Sequence, residues 1–263
     1  MPSSSFFVSA TGVQAASQFL DVTSNNVANS NTVGFKTAQV SFQDLLYSQF
    51  LAAAPTPGLT PPGDTQIGSG TVLNSVTGLF TQGALTPSTG PIDLAINGQG
   101  FFAVTLPDGT TAYTRAGNLS IDANGHIVTS EGFLLAGGVP GGITVPTGTT
   151  SVSVSPDGTV TATTPTGTVP IGNITLTQFQ NPESLTRIGN TAFQASPASS
   201  APMTGTPGTN GLGTISQGFL EQSNVDLTTE LTNLIIAQST FQFNAQALTV
   251  ENETLQTTTS LIP

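Results

Sequence analysis

Residues 223–256, SNVDLTTELTNLIIAQSTFQFNAQALTVENETLQ, contain neither proline nor glycine. From Leu227, alternating steps of four and three reach Leu231, Leu234, Gln238, Phe241, Ala245, Leu248, Asn252 and Leu255. This heptad spacing predicts one continuous amphipathic helix. At ~1.5 Å per residue the seam runs about 42 Å, too long and too narrow for a small globular core to cover, so it calls for partner helices. Its flanks are Thr, Gln and Asn where two-stranded coiled coils use Glu and Lys, so charge does not set the register.

The opposite end of the chain supplies a matching pattern in Phe6, Ala10, Val13, Ser17, Leu20, Ser24 and Val27. Gly12 inside this helix costs about 1 kcal/mol relative to Ala, a cost that close approach of a neighbouring helix offsets. Heptads at both termini favour bundling between copies; the alternative is a helical hairpin capping one domain.

Composition narrows the function classes. The 263 residues include 29 glycines and 18 prolines, and only 6% are charged, against ~25% in ordinary soluble domains. Lys36, Arg115 and Arg187 are the only basic residues besides His126, and the net charge is −11. Such a chain cannot neutralise a run of phosphates, which excludes nucleic acid and anionic membrane surfaces as partners. Low charge suits tight packing against copies of itself. No cysteine is present, which rules out disulfides and thiolate chemistry. The first 35 residues lack Lys and Arg, so a secretory signal start is missing, and no apolar run of ~18 residues predicts a membrane span.

The segment SNNVANSNTVGFK, residues 24–36, follows the first helix; its Asn and Ser side chains compete for backbone groups and are expected to end that helix, with Gly34 permitting a turn. Residues 39–51 predict a short helix with Phe42, Leu45, Leu46 and Phe50 on one side. Residues 52–70, AAAPTPGLTPPGDTQIGSG, read either as a flexible linker or as a proline-stiffened arm.

From residue 71 to 219 short strands and turns take over. Phe102, Val104 and Leu106 alternate with Phe101, Ala103 and Thr105 and are expected to face a core, and Pro107-Asp108-Gly109 turns the chain towards a strand at Tyr113. Further turns are expected at Asn124-Gly125 and Pro156-Asp157-Gly158, the latter joining Val152 and Val154 to Val160 and Ala162. No fixed repeat period emerges.

The ordered Asn cluster at 24–36, together with IDLAINGQGFFAV (92–104), AYTRAGNLSIDANGHIV (112–128) and GLGTISQGFLEQSNVDLTTEL (211–231), resembles the rod and hook family of bacterial flagellar axial proteins. The resemblance touches the start, middle and end of the chain. Hook members usually insert a further outer domain for which 263 residues leave no room, so the distal rod members are the closer match, and their insertion corresponds to the arm at 52–70. Ser239, Thr240 and Phe241 stand where the family often has Arg and Tyr, so particular interface salt bridges of the family do not carry over.

Catalytic readings are poor. His126 stands alone beside an Asn-Gly turn, with no second His or Cys to complete a metal or nucleophile site. Asp122, Asn124 and Gly125 lack the ligand spacing of a calcium loop. The glycine clusters at Gly98 and Gly100 and at Gly208, Gly211 and Gly213 spell no nucleotide fingerprint.

The expected fold is α+β: N- and C-terminal α-helices forming a coiled-coil-like stalk with an inserted all-β outer domain. Its segments are an N-terminal helix at 1–30, a connector with the Pro/Gly-rich arm at 31–70, the β-rich domain at 71–219 and a C-terminal helix at 220–263. The resemblance implies a structural subunit, not an enzyme, that needs no cofactor or metal and polymerises into a helical tube transmitting torque. Its interface would use Val13, Leu20, Asn25, Asn26, Val27, Asn29, Gly34, Phe35, Leu227, Leu231, Leu234, Phe241, Leu248 and Leu255. The implied partners are copies of itself, the proximal rod, the hook, the bushing-ring proteins and the flagellar export apparatus, in a basal body spanning the periplasm and reached without a cleaved signal. A short hook or proximal rod subunit, or an extracellular β-rich adhesin, is the alternative.

Overall fold

The computed structural model describes residues 4–50, 65–137 and 142–260; most of the proline-rich stretch at 52–70 lies outside them. The chain divides into two compact units.

The first unit comprises 1–27, 38–77 and 226–263. Its helices are α1 (Ser4–Ala28) and α2 (Leu227–Ser260). α2 starts four residues later than the pattern at 223 predicts because Asp226 caps it: the Asp226 carboxylate accepts the Thr228 N–H at 2.9 Å and the Thr229 hydroxyl at 3.0 Å. Those bonds, the Thr229 hydroxyl foremost, hold the Asp226 carboxyl below its ordinary range. α1 ends at Ala28, inside the Asn-rich segment 24–36. Asn26 directs its amide sideways: Nδ2 donates to the Ala38 carbonyl and Oδ1 accepts the Ala38 N–H, both at 2.9 Å.

Residues 39–50 of the expected 39–51 helix are not helical, and residue 51 lies outside the described residues. Ala38–Asp44 is a strand paired with Thr71–Gly78, and Tyr47–Phe50 pairs antiparallel with Thr65–Gly68. Phe42 lies in the first of these strands and meets Phe19 of α1 edge to face at 6.3 Å, while Leu45 and Leu46 fall between the two strands; long-range pairing overrides the local helical period. The β-region expected to begin at 71 therefore starts with a strand that groups with the helices.

The second unit comprises 28–37 and 78–225. Phe101–Thr105 and Thr111–Thr114 form the expected hairpin, with Val104 opposite Ala112. They lie within an eleven-stranded sheet among the described residues. Val154 faces Val160 and Val152 faces Ala162 in a separate three-stranded sheet, as the Pro-Asp-Gly turn requires. Phe102 and Val104 are fully buried in the main core with Ile92, Leu94, Ile96, Ile174 and Ile215, and Leu106 packs against it. The other face of the same strand is also covered: Phe101 and Ala103 enter a second cluster with Tyr113, Phe179, Leu185 and Phe193. A strand buried on both faces reads as a continuous apolar run. Asp122 accepts the backbone N–H groups of Asn124 and His126 at 2.8 and 2.7 Å, spending itself on its own turn.

Candidate assembly interface

α1 and α2 run antiparallel, since Ser5 donates to Glu251, Gly12 lies against Asn244, and Asn26 donates to Glu230 at 3.1 Å. The residues that meet are small or polar. Ala15, Ala16, Thr23 and Asn26 of α1 are buried, as are Glu230 and Ala237 of α2. Gly12 makes close approach possible, because a Cβ there would meet the Asn244 side chain at 2.7 Å. Glu230, Ala237, Asn244 and Glu251 recur at seven-residue spacing, so one straight stripe of α2 serves the pairing.

Much of the apolar heptad of α2 is thereby left uncovered within the chain. Leu227, Leu231, Phe241 and Leu255 are exposed, while Leu234 and Leu248 are half-buried. Val13, Leu20 and Val27 are half-buried too. The face of α2 away from α1 adds Ile235, Ile236, Phe243 and Val250, exposed by 63, 53, 70 and 58%. Sequence reasoning missed this stripe because it followed one seam, yet Ile236, Phe243 and Val250 are themselves seven apart. A helix apolar on more than one side belongs inside an assembly of helices. Beside the pair, Val8, Gly12, Ala15, Ala16, Phe19 and Ala237 line an open groove of about 460 Å³.

The remaining expected residues belong to the connector. Asn25 is exposed, and Asn29 turns the chain, accepting the Thr32 hydroxyl at 3.1 Å and the Thr32 N–H at its carbonyl. Gly34 adopts φ +70°, its N–H donates to the Glu221 carbonyl at 2.8 Å, and a Cβ there would sit 2.4 Å from the Ala116 backbone nitrogen. Phe35 is buried under the Arg187 guanidinium, 5.5 Å from ring centroid to Cζ. Gly34→Ala combines a left-handed backbone with a backbone collision, so it should cost the second unit about 2–4 kcal/mol. Urea unfolding followed by circular dichroism checks this; a loss below about 0.5 kcal/mol contradicts the close packing.

The connector also carries an ion cluster that the sequence pattern alone did not single out. Lys36, fully buried, donates to Glu221 Oε1 at 2.6 Å and to the Thr81 carbonyl at 2.7 Å. Arg115 reaches Glu221 Oε2 at 3.2 Å and the Gly98 carbonyl at 3.0 Å, and the Gly83 N–H adds a bond to Oε1 at 2.9 Å. Arg187 donates to the Lys36 carbonyl at 2.8 Å. Burial pulls the Lys36 and Arg115 pKa values down while Glu221 opposes the shift. All three Lys and Arg residues of the chain are thus spent around one internal carboxylate and one turn. Nearby, Asn224 Oδ1 accepts the Thr37 N–H at 2.8 Å and Nδ2 donates to the Leu79 carbonyl at 2.8 Å. The available signal was scarcity: a lone Lys in the first 114 residues calls for a specific partner.

Helices with uncovered apolar faces, joined by an Asn-Gly-Phe-Lys connector to a β-rich unit, define the axial-protein class of the bacterial flagellum, and comparison with known proteins agrees. Residues 7–36 match the family described as flagella basal body rod protein, 95–162 the D1 domain of flagellar hook protein FlgE/F/G, and 216–261 the C-terminal region of flagellar basal body rod FlgEFG protein. The flagellar basal-body rod protein FlgG of Caulobacter vibrioides is 39% identical over 257 residues, 96% of this chain and 97% of its own length. FlgG of Bacillus subtilis is 41% identical over 242 residues, 90% of each chain. The flagellar hook protein FlgE of Helicobacter mustelae is 41% identical over 129 residues, but these cover only 28% of that protein. The chain belongs to the flagellar basal-body rod protein family, on the FlgG side of it.

Proposed function

We propose that this chain is a structural subunit of the distal flagellar rod, in which the helices of many copies pack into a tube that carries torque. The observation that supports this most directly is the uncovered apolar surface of α2: pairing with α1 uses small and polar residues and leaves Leu231, Ile235, Ile236, Phe243 and Val250 facing out. Burial contributes ~1.5–3 kcal/mol per such side chain, and repetition over many copies stabilises a head-to-tail helical polymer. In this reading Val13, Leu20, Val27, Leu227, Leu231, Leu234, Phe241, Leu248 and Leu255 join the same interface, and the β-rich segment 71–219 packs outside the tube. Asn25, Asn26, Asn29, Gly34 and Phe35 act one step back, fixing the connector. Proximal rod, hook and bushing-ring proteins are the neighbours, and the chain reaches the periplasm-spanning basal body through the export apparatus, without catalysing a reaction.

Electron microscopy at rising concentration tests the reading, comparing the full chain with one ending at Val225, which keeps Glu221 and Asn224. Tubes from the full chain alone are expected. Tubes from both, or soluble monomers at every concentration, would remove the role assigned to α2.

A further inference from the structure

The first unit contains no Lys, Arg or His at all. Its ionisable carboxylates are Asp21, Asp44, Asp64, Asp226, Glu230, Glu251 and Glu253, half of the chain's 14 acidic residues. One of them is inside: Glu230 is only 7% exposed, on the stripe of α2 that meets α1. Its partner across the seam is the neutral Asn26 amide, which also serves the Ala38 carbonyl.

We propose that the α1–α2 pair is an acid-strengthened latch, in which Glu230 takes up a proton as the helices close over it. A carboxylate removed from water without a cation is costly, whereas a carboxylic acid can accept from Asn26 and carry its own proton into the seam. The groups around it point the same way. On α2, Asp226 lies one turn earlier and disfavours a second negative charge; α1 presents Asn26 and carries only Asp21 as an ionisable residue; the strand Ala38–Asp44 presents the Ala38 backbone and carries only Asp44. Burial foremost raises the Glu230 pKa above the ordinary carboxylate range, against the bonds from Asn26 and Asn233. The folded state then binds more protons than the unfolded one, so the pairing strengthens as pH falls through the raised value and weakens as pH rises through it.

The inference does not depend on the rod assignment. It is tested on the full chain by thermal melts of the helical signal at 222 nm between pH 8 and pH 5, for the wild type, Glu230→Gln and Glu251→Gln. The wild-type midpoint should climb on acidification by roughly 2–4 °C. Glu230→Gln should begin at the higher midpoint at pH 8 and show little slope, while Glu251→Gln keeps the wild-type slope. A flat or opposite wild-type slope overturns the latch. Equal effects of the two substitutions also overturn it, because they would report general charge relief. Carbon-13 NMR titration of the Glu230 carboxyl in the wild type decides the matter if the variant loses its helices: a midpoint at or below that of an ordinary glutamate is incompatible with the proposal.

Discussion

Glu221→Gln should destabilise the second unit by about 3–5 kcal/mol, the usual cost of removing one partner from a buried ion cluster. The carboxylate takes Lys36, Arg115 and the Gly83 N–H. A glutamine oxygen replaces one acceptor, but its NH₂ then points at a cation, and two buried positive charges lose their only counter-charge. Lys36→Met should cost less, because Arg115 and Glu221 remain paired. Near-UV circular dichroism of Tyr113, packed at 4.8 Å on Phe179, follows the unfolding of this unit in urea. A loss below about 1 kcal/mol for Glu221→Gln would mean that water reaches the cluster.

The second large effect is expected in assembly with little change in folding. Ile236 and Phe243 are exposed by more than half, so replacing both by Asp leaves the isolated subunit with few lost contacts. In the polymer the same changes remove two buried apolar side chains per subunit, ~1.5–3 kcal/mol each, and add charge to a unit that has no cation. The concentration at which tubes form should rise at least ~100-fold, since 1.4 kcal/mol is tenfold. Sedimentation gives the threshold and a urea melt of each monomer gives the fold. An unchanged threshold would place the outward face of α2 outside every contact between copies.

Local pattern was legible wherever the partner lay close in sequence. The Asp-Gly and Asn-Gly turns announced their hairpins, and alternation at Phe102 and Val104 named one face of the core. The terminal helices were legible from uninterrupted heptads. What failed shared one cause: distant partners. Residues 39–51 look helical until the strand at Thr71–Gly78 is known, and Glu221 looks like a surface acid until Lys36 and Arg115 converge on it. The α2 seam, read as a packing surface for partner helices, stays largely uncovered within the chain. Apolar spacing marks what a helix would bury, but α1 and α2 meet through Gly12, Ala15, Ala16 and Ala237, whose small size signals close approach more than hydrophobicity does. Asn26 lies in the motif within which α1 ends, but its amide reaches distant partners, closing on Ala38 and Glu230.

The bonds that close each unit also set a timetable. Lys36 and Glu221 are 185 residues apart in the chain, and Asn26 and Glu230 are 204 apart. Closing loops of that length is slow, and these two links cannot form until the late part of the chain is present. A chain emerging from its N-terminus holds Lys36 and the connector without their counter-charge and α1 without its antiparallel partner until almost the last residues appear. The closing contacts of both units therefore form only once residues 221 and 230 are in place.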